Sequence, residues 1–163
     1  MTMFKNRLPL FESVAAVLAV ALVALLTALP SSVASPERDA RLMDGLSLLR
    51  TAVYRFSMEH SDYEGAILPG RDGEDVVAQL TGLTRNNGTT FEPLSGREDR
   101  WNGPYLRGIP VNPVNGLDTV RLVERAVDVV PTGIAGWIYV VEGGRFVPDV
   151  DGQDPQGVLY TDY

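Results

Sequence analysis

The chain has 163 residues, a formal net charge of −7, one histidine and no cysteine, which gives room for one modest domain and a short additional segment. The lack of cysteine excludes disulfides, thiolate catalysis and Cys-ligated zinc or iron–sulfur sites, and the single histidine, His60, makes a His-based metal site or a Ser-His-Asp triad hard to build. With Lys5, Arg7 and Glu12 set aside, 12 of the 14 basic residues remain, all arginine, against 20 of the 21 acidic ones; that balance disfavours nucleic acid and anionic lipid, both of which reward clustered Lys and Arg.

Residues 8–29 read LPLFESVAAVLAVALVALLTAL, apolar after Glu12 and Ser13 apart from Thr27. As a helix, Leu10 to Leu29 would be roughly 30 Å long, the thickness of a bilayer's hydrocarbon core. Lys5 and Arg7 precede it, and the positive-inside rule then predicts a cytoplasmic N-terminus. The predicted organisation is a leader-like segment at 1–7, a transmembrane or assembly helix at 8–30, and an extracytoplasmic domain at 31–163. This makes the chain a single-pass membrane protein with its larger domain outside the cytoplasm. A second reading is a cleavable secretory signal with small residues at Ser32-Val33-Ala34, releasing a Sec-exported periplasmic binding module. Glu12 bears on the choice, because a carboxylate inside an apolar span costs a few kcal/mol and usually marks a function or a partner.

From Glu37 to His60 the pattern is helical. Leu42, Leu46, Leu49, Val53 and Phe56 recur at alternating spacings of four and three, which defines one apolar stripe. Pro36 and Glu37 suit a first turn. Asp62 to Gly73 is rich in turn residues, and Asp75 to Leu80 reads as a short helix. Thr81 to Gly103 is a long polar loop. Prolines at 104, 110 and 113 forbid regular structure in WNGPYLRGIPVNPVNG, where Trp101, Tyr105, Leu106 and Ile109 are candidate anchors to the core. Strand signals follow at Thr119–Val123, more weakly at Ala126–Val130, and in a hairpin of Gly136–Val141 and Arg145–Val147 about the turn Glu142-Gly143-Gly144. The predicted class is α+β, a long N-terminal helix with a transmembrane half and an amphipathic half, packed on a small C-terminal antiparallel sheet.

These pieces resemble the type IV pilin-like proteins, and most closely the major pseudopilin of type II secretion systems. The matching residues are Phe11-Glu12 at the head of the apolar run, and Leu48-Leu49-Arg50-Thr51-Ala52-Val53-Tyr54 followed by Glu59-His60 and Tyr63. Further on come Gly103-Pro104-Tyr105-Leu106 with Ile109-Pro110-Val111-Asn112-Pro113, and Gly136-Trp137-Ile138-Tyr139 with Gly143-Gly144-Arg145-Phe146. The resemblance implies a pilin-like fold and a non-enzymatic structural subunit of a pseudopilus filament. Its partners would be other copies of itself, other pseudopilins and inner-membrane secretion components, and it would be a single-pass protein of a bacterial inner membrane with its globular domain in the periplasm. It also implies cleavage between Arg7 and Leu8 and methylation of Leu8, with Glu12 pairing with the terminal amine of a neighbouring subunit. The chain departs from the family pattern in having Arg7 where Gly is usual and Pro9 second in the mature chain. The resemblance further implies calcium in a C-terminal acidic loop, here Asp149, Asp151 and Asp154 beside Gly152; a solvated acidic tail is the alternative reading of the same residues.

The other chemistry-bearing residues have plain structural readings beside functional ones. His60 could titrate near neutrality or serve as a cation at a helix C-terminus. Trp101, Tyr105, Trp137 and Tyr139 could form a ligand surface or anchor irregular segments. The carboxylate pairs Glu74/Asp75 and Glu98/Asp99 are neighbours in sequence without being compelled to face one site.

Overall fold

A computed structural model describes residues 36–90 and 101–163. The first helix, α1, runs from Pro36 to Glu59, 24 residues or roughly 36 Å. Pro36 lacks the N–H that a first turn would leave unpaired, and Glu37 and Asp39 set negative charge at the positive end of the helix dipole. Leu42, Leu46, Leu49, Val53 and Phe56 are all buried, as the stripe predicts. Gly45 is buried on the same side, because a Cβ there would come within 3.1 Å of the Trp137 ring.

The chain then turns sharply. Strands β1 (Ser61–Asp62) and β2 (Gly65–Ala66) form a two-residue-a-side hairpin, held by Asp62 Oδ1, which accepts from Glu64 N at 2.8 Å and Gly65 N at 3.2 Å. Helix α2 (Val76–Thr81) is capped by Asp75, whose carboxylate accepts from Val77 N and Ala78 N. Val76 and Leu80 enter the core. Gln79 is buried as well, accepting from Gly70 N at 2.7 Å and donating to Gly88 O at 2.8 Å, so it pins two glycine turns to one helix.

Strands β3 (Val120–Val123), β4 (Trp137–Val140) and β5 (Arg145–Pro148) form one sheet in that order. β4 pairs antiparallel with β5 (Trp137 opposite Pro148, Tyr139 opposite Phe146) around the predicted turn, where Gly143 and Gly144 take positive φ. Trp137, Tyr139 and Phe146 face α1 and close the main core with Leu80, Tyr105 and Tyr160. By strand alternation Ile138 and Val140 point to the other face, and they too are buried.

The expected fold needs correction in two respects. The sheet is not purely antiparallel, since β3 runs parallel to β4, with Val120 opposite Trp137. A parallel pair needs a crossover of a dozen or more residues, and residues 124–136 supply it. Ala126–Asp128, within the segment read as a weak strand, is one turn of 3₁₀ helix in that crossover. The long helix with a transmembrane half is also not what the described residues contain. Their only long helix is α1, which carries charge at Glu37, Arg38, Asp39, Arg41, Asp44, Arg50, Arg55 and Glu59, and no described helix is long and apolar enough to cross a membrane. That finding overturns the single-pass inner-membrane placement with a periplasmic domain. The apolar run at 8–30 lies outside the described residues.

Candidate assembly surface

The two sequence blocks that carry the family resemblance meet in space. Tyr105 N and Leu106 N both donate to Leu80 O, at 3.0 and 2.9 Å, which fastens the first block to the end of α2. The Trp137 indole N–H donates to Pro110 O at 2.7 Å. Asn112, fully buried, donates to Gly136 O at 2.7 Å and accepts from Val114 N at 2.9 Å. Tyr139 donates to Pro69 O at 2.9 Å. A proline-rich segment cannot satisfy its own backbone by a ladder, and these buried side chains do it instead. Trp137 and Tyr139 are therefore core anchors with no accessible ring face, while Trp101 remains partly exposed.

Tyr105 is buried too, and its hydroxyl donates to Glu59 Oε2 at 2.7 Å while Arg55 lies 5.7 Å over its ring. Burial first, and then the adjacent Glu59 carboxylate, push its ionisation well above the usual phenol range.

His60 is fully buried. Its Nδ1 lies 2.7 Å from Phe56 O, a carbonyl that can only accept, so Nδ1 carries a proton. Nε2 meets the Thr84 hydroxyl at 2.9 Å and the Asn102 amide at 3.4 Å. The ring stacks on Phe56 with centroids 4.0 Å apart. His60 thus joins the end of α1 to the bridge between Thr84 and Asn102, and neither of its nitrogens is presented to a cleft.

In the acidic loop the carboxylates of Asp149 and Asp154 are engaged by donors of the chain itself. Asp149 is fully buried and forms the centre of a polar hub. Oδ1 accepts from Thr132 N at 2.6 Å and Arg121 Nη2 at 3.1 Å; Oδ2 accepts from the Thr132 hydroxyl at 3.0 Å, Ala135 N at 3.1 Å and Arg121 Nε at 3.3 Å. Burial raises the carboxyl's pKa, but the Arg121 guanidinium and the donors of Thr132 and Ala135 outweigh it and hold the value at about 2. Asp154 accepts from the Tyr163 hydroxyl at 2.7 Å and from Gln156 N and Val158 N, both at 2.8 Å, and its carboxyl lies below the ordinary range, first through Tyr163. Asp151 accepts from Gly152 N. Among the described residues no group of three or more acidic or histidine side chains is placed to hold a metal ion. Asp75 is committed to capping α2. Leu8, Phe11, Glu12, Arg7, Glu98 and Asp99 lie outside the described residues.

What remains open is the outer face of α1. Met43, Tyr54 and Met58 are 46%, 63% and 68% exposed on a helix whose opposite face is the core. Met43, Ser47, Arg50, Thr51 and Tyr54 line a groove of about 470 Å³ along it. Arg50 forms its rim and is fixed there, donating to Phe146 O and Tyr163 O. The sequence reading missed this second stripe because only three of its positions are large and apolar, and they are diluted among Ser47, Thr51 and charges.

Compared with protein-family models, curated proteins and solved structures, the chain matches none.

Proposed function

We propose that the chain is a structural subunit of a pilus-like filament, of the pseudopilus type used by type II secretion or type IV pilus-related systems, and that it does its work by assembly. The observation that supports this most is the convergence of the Gly103–Pro113 and Gly136–Phe146 blocks on α1, through Trp137 against Gly45, Trp137 to Pro110 and Asn112 to Gly136. Every buried aromatic and amide in these blocks is spent on building a small rigid body around one long helix. None is left lining a cleft, which is what a scaffold subunit requires and what a ligand-binding loop would lack. In this reading the apolar run at 8–30 supplies the filament contact, and Glu12 sets subunit register by pairing with a cation of a neighbour.

The test is self-association of the full chain with and without Glu12→Leu, followed by sedimentation and negative-stain microscopy. Open-ended polymers from the parent chain and their loss in the variant are expected. Polymers unaffected by the substitution would remove Glu12 from the mechanism, and discrete closed oligomers from the parent would remove the filament.

A further inference from the structure

We infer that the outer edge of β3 is a docking site for an extended segment of another protein, which joins the sheet as a further strand and carries apolar side chains at alternate positions between two basic residues. Successive residues of a strand turn their backbone N–H and C=O to opposite sides. Trp137 N donates to Thr119 O and Val141 N to Val123 O, so Arg121 and Val123 face β4 while Val120 and Leu122 face away from it. Among the described residues, nothing is hydrogen-bonded to the backbone of Val120 or Leu122 on that outer side. Two donors and two acceptors are left there for a strand to use.

The opposite edge of the sheet is closed. Asp149 N donates to Gly136 O, which turns Val147 and Arg145 toward β4 and leaves Phe146 and Pro148 facing outward. Pro148 has no N–H to offer, and Phe146 O accepts from Arg50 Nη2 at 3.2 Å. Arg145 ties the turn Tyr160–Asp162 to β5 by donating to Thr161 O at 2.9 Å. Proline and bonded cover are two ways of withdrawing an edge from further pairing. β3 has no proline, no lysine and no bonded outward group.

The side chains along this edge define the partner. Val120 packs against the main core and Leu122 is 47% exposed, so an added strand meets an apolar shelf on the core side. On the other face Arg121 is committed to Asp149 and to Val130 O, and Arg125, just past the strand, to Asp128. Asp118 and Glu124, exposed at the two ends of β3, have no such partner among the described residues. Both are acidic, and a strand that is basic at both ends complements them. The same acids disfavour a second copy: two β3 edges paired antiparallel with Val120 opposite Leu122 would set Asp118 opposite Glu124, twice. With β5 closed, a second copy has no other edge of this sheet to offer. The docking goes beyond the filament reading and does not depend on it, since it leaves residues 8–30 untouched and closes no pair of chains.

The probe is the end-blocked peptide Lys-Thr-Val-Thr-Val-Thr-Lys, which reads the same in both directions. Added to the full chain, it is expected to slow hydrogen exchange at the Val120 and Leu122 amides, while those of Arg121 and Val123, already bonded to β4, change little. The peptide with glutamate in place of both lysines should bind about tenfold more weakly or less. Leu122→Pro removes a donor that the β3–β4 ladder does not use, and it should abolish the slowing at Val120. Should that variant fail to fold, the pair Asp118→Lys and Glu124→Lys, both at exposed positions, should reverse the preference between the two peptides. Slowing at Val120 and Leu122 that follows these charges establishes the site. Unchanged exchange at both amides with millimolar peptide, equal slowing by the glutamate peptide, or slowing that grows with chain concentration in the absence of peptide would overturn it.

Discussion

Trp137 lies edge-on against Gly45, with its ring carbons Cη2 and Cζ2 3.1 and 3.2 Å from where a side chain at Gly45 would begin. A glycine in a helix interior costs about 1 kcal/mol relative to alanine, and here it admits the largest core side chain of the sheet to the helix backbone. The indole cannot retreat, since its N–H is bonded to Pro110 O. Gly45→Leu is therefore expected to destabilise the domain by about 2–3 kcal/mol through overpacking. Gly45→Ala should also be destabilising, by less than about 1 kcal/mol, because the propensity gain offsets part of the clash. Urea unfolding followed by tryptophan fluorescence checks both; a stabilised Gly45→Ala would mean that the ring can move.

Arg121 and Asp149 form the other long-range tie. The carboxylate is fully buried and the guanidinium side chain is 23% exposed. Asp149→Asn keeps the shape but removes the charge, and it turns one acceptor atom into a donor facing Thr132 or Ala135. The Arg121 charge is left half-buried without its partner. A loss of about 3 kcal/mol is expected. Removing both partners, with Arg121→Met in the Asp149→Asn background, should cost less than the sum of the single changes. A double-mutant cycle in urea measures this coupling, and strict additivity would show that the pair does not act as a unit.

The same carboxyl sets an acid limit. Its pKa is about 2 in the folded chain and about 3.9 when unfolded. The unfolded state thus binds the proton more readily. The contribution is complete above the unfolded value and is lost as pH falls through it toward 2. About 2 kcal/mol should disappear between pH 5 and pH 2. Asp149→Asn should flatten that part of the stability curve. An unchanged slope in the variant would assign the acid sensitivity to other carboxylates.

The sequence made some of this architecture legible and hid the rest, for identifiable reasons. The α1 stripe could be read because five large apolar residues share one face at helical spacing. The β4–β5 hairpin could be read because GWIYVV and RFV flank a Glu-Gly-Gly turn. The parallel β3–β4 pairing could not: Val127, Val129 and Val130 look like strand residues, and only the pairing of Val120 with Trp137 shows that they belong to a crossover. Asp149 reads as one of several exposed acids, because its cation lies 28 residues earlier on a different strand. Its position between buried Val147 and Val150 was the available clue. His60 reads as a residue at the end of a helix, and nothing in its local sequence shows that the chain folds back over it and buries it, with Ile67 N donating to His60 O at 2.9 Å.

The hub also bears on calcium. A calcium ion needs six to eight oxygen ligands, carboxylates foremost. Both oxygens of Asp149 are already filled by the Arg121 guanidinium, the Thr132 hydroxyl and the amides of Thr132 and Ala135, and those of Asp154 by the Tyr163 hydroxyl and two amides. Recruiting Asp149 would mean breaking its ion pair and leaving Arg121 facing the incoming cation. Calcium is therefore expected to leave the thermal unfolding midpoint of the chain where it is, and a chelator to change nothing. Asp149→Asn should be no more sensitive to calcium than the parent. A rise in the midpoint on adding calcium, abolished by Asp151→Asn or Asp154→Asn, would show that the loop rearranges to take the ion.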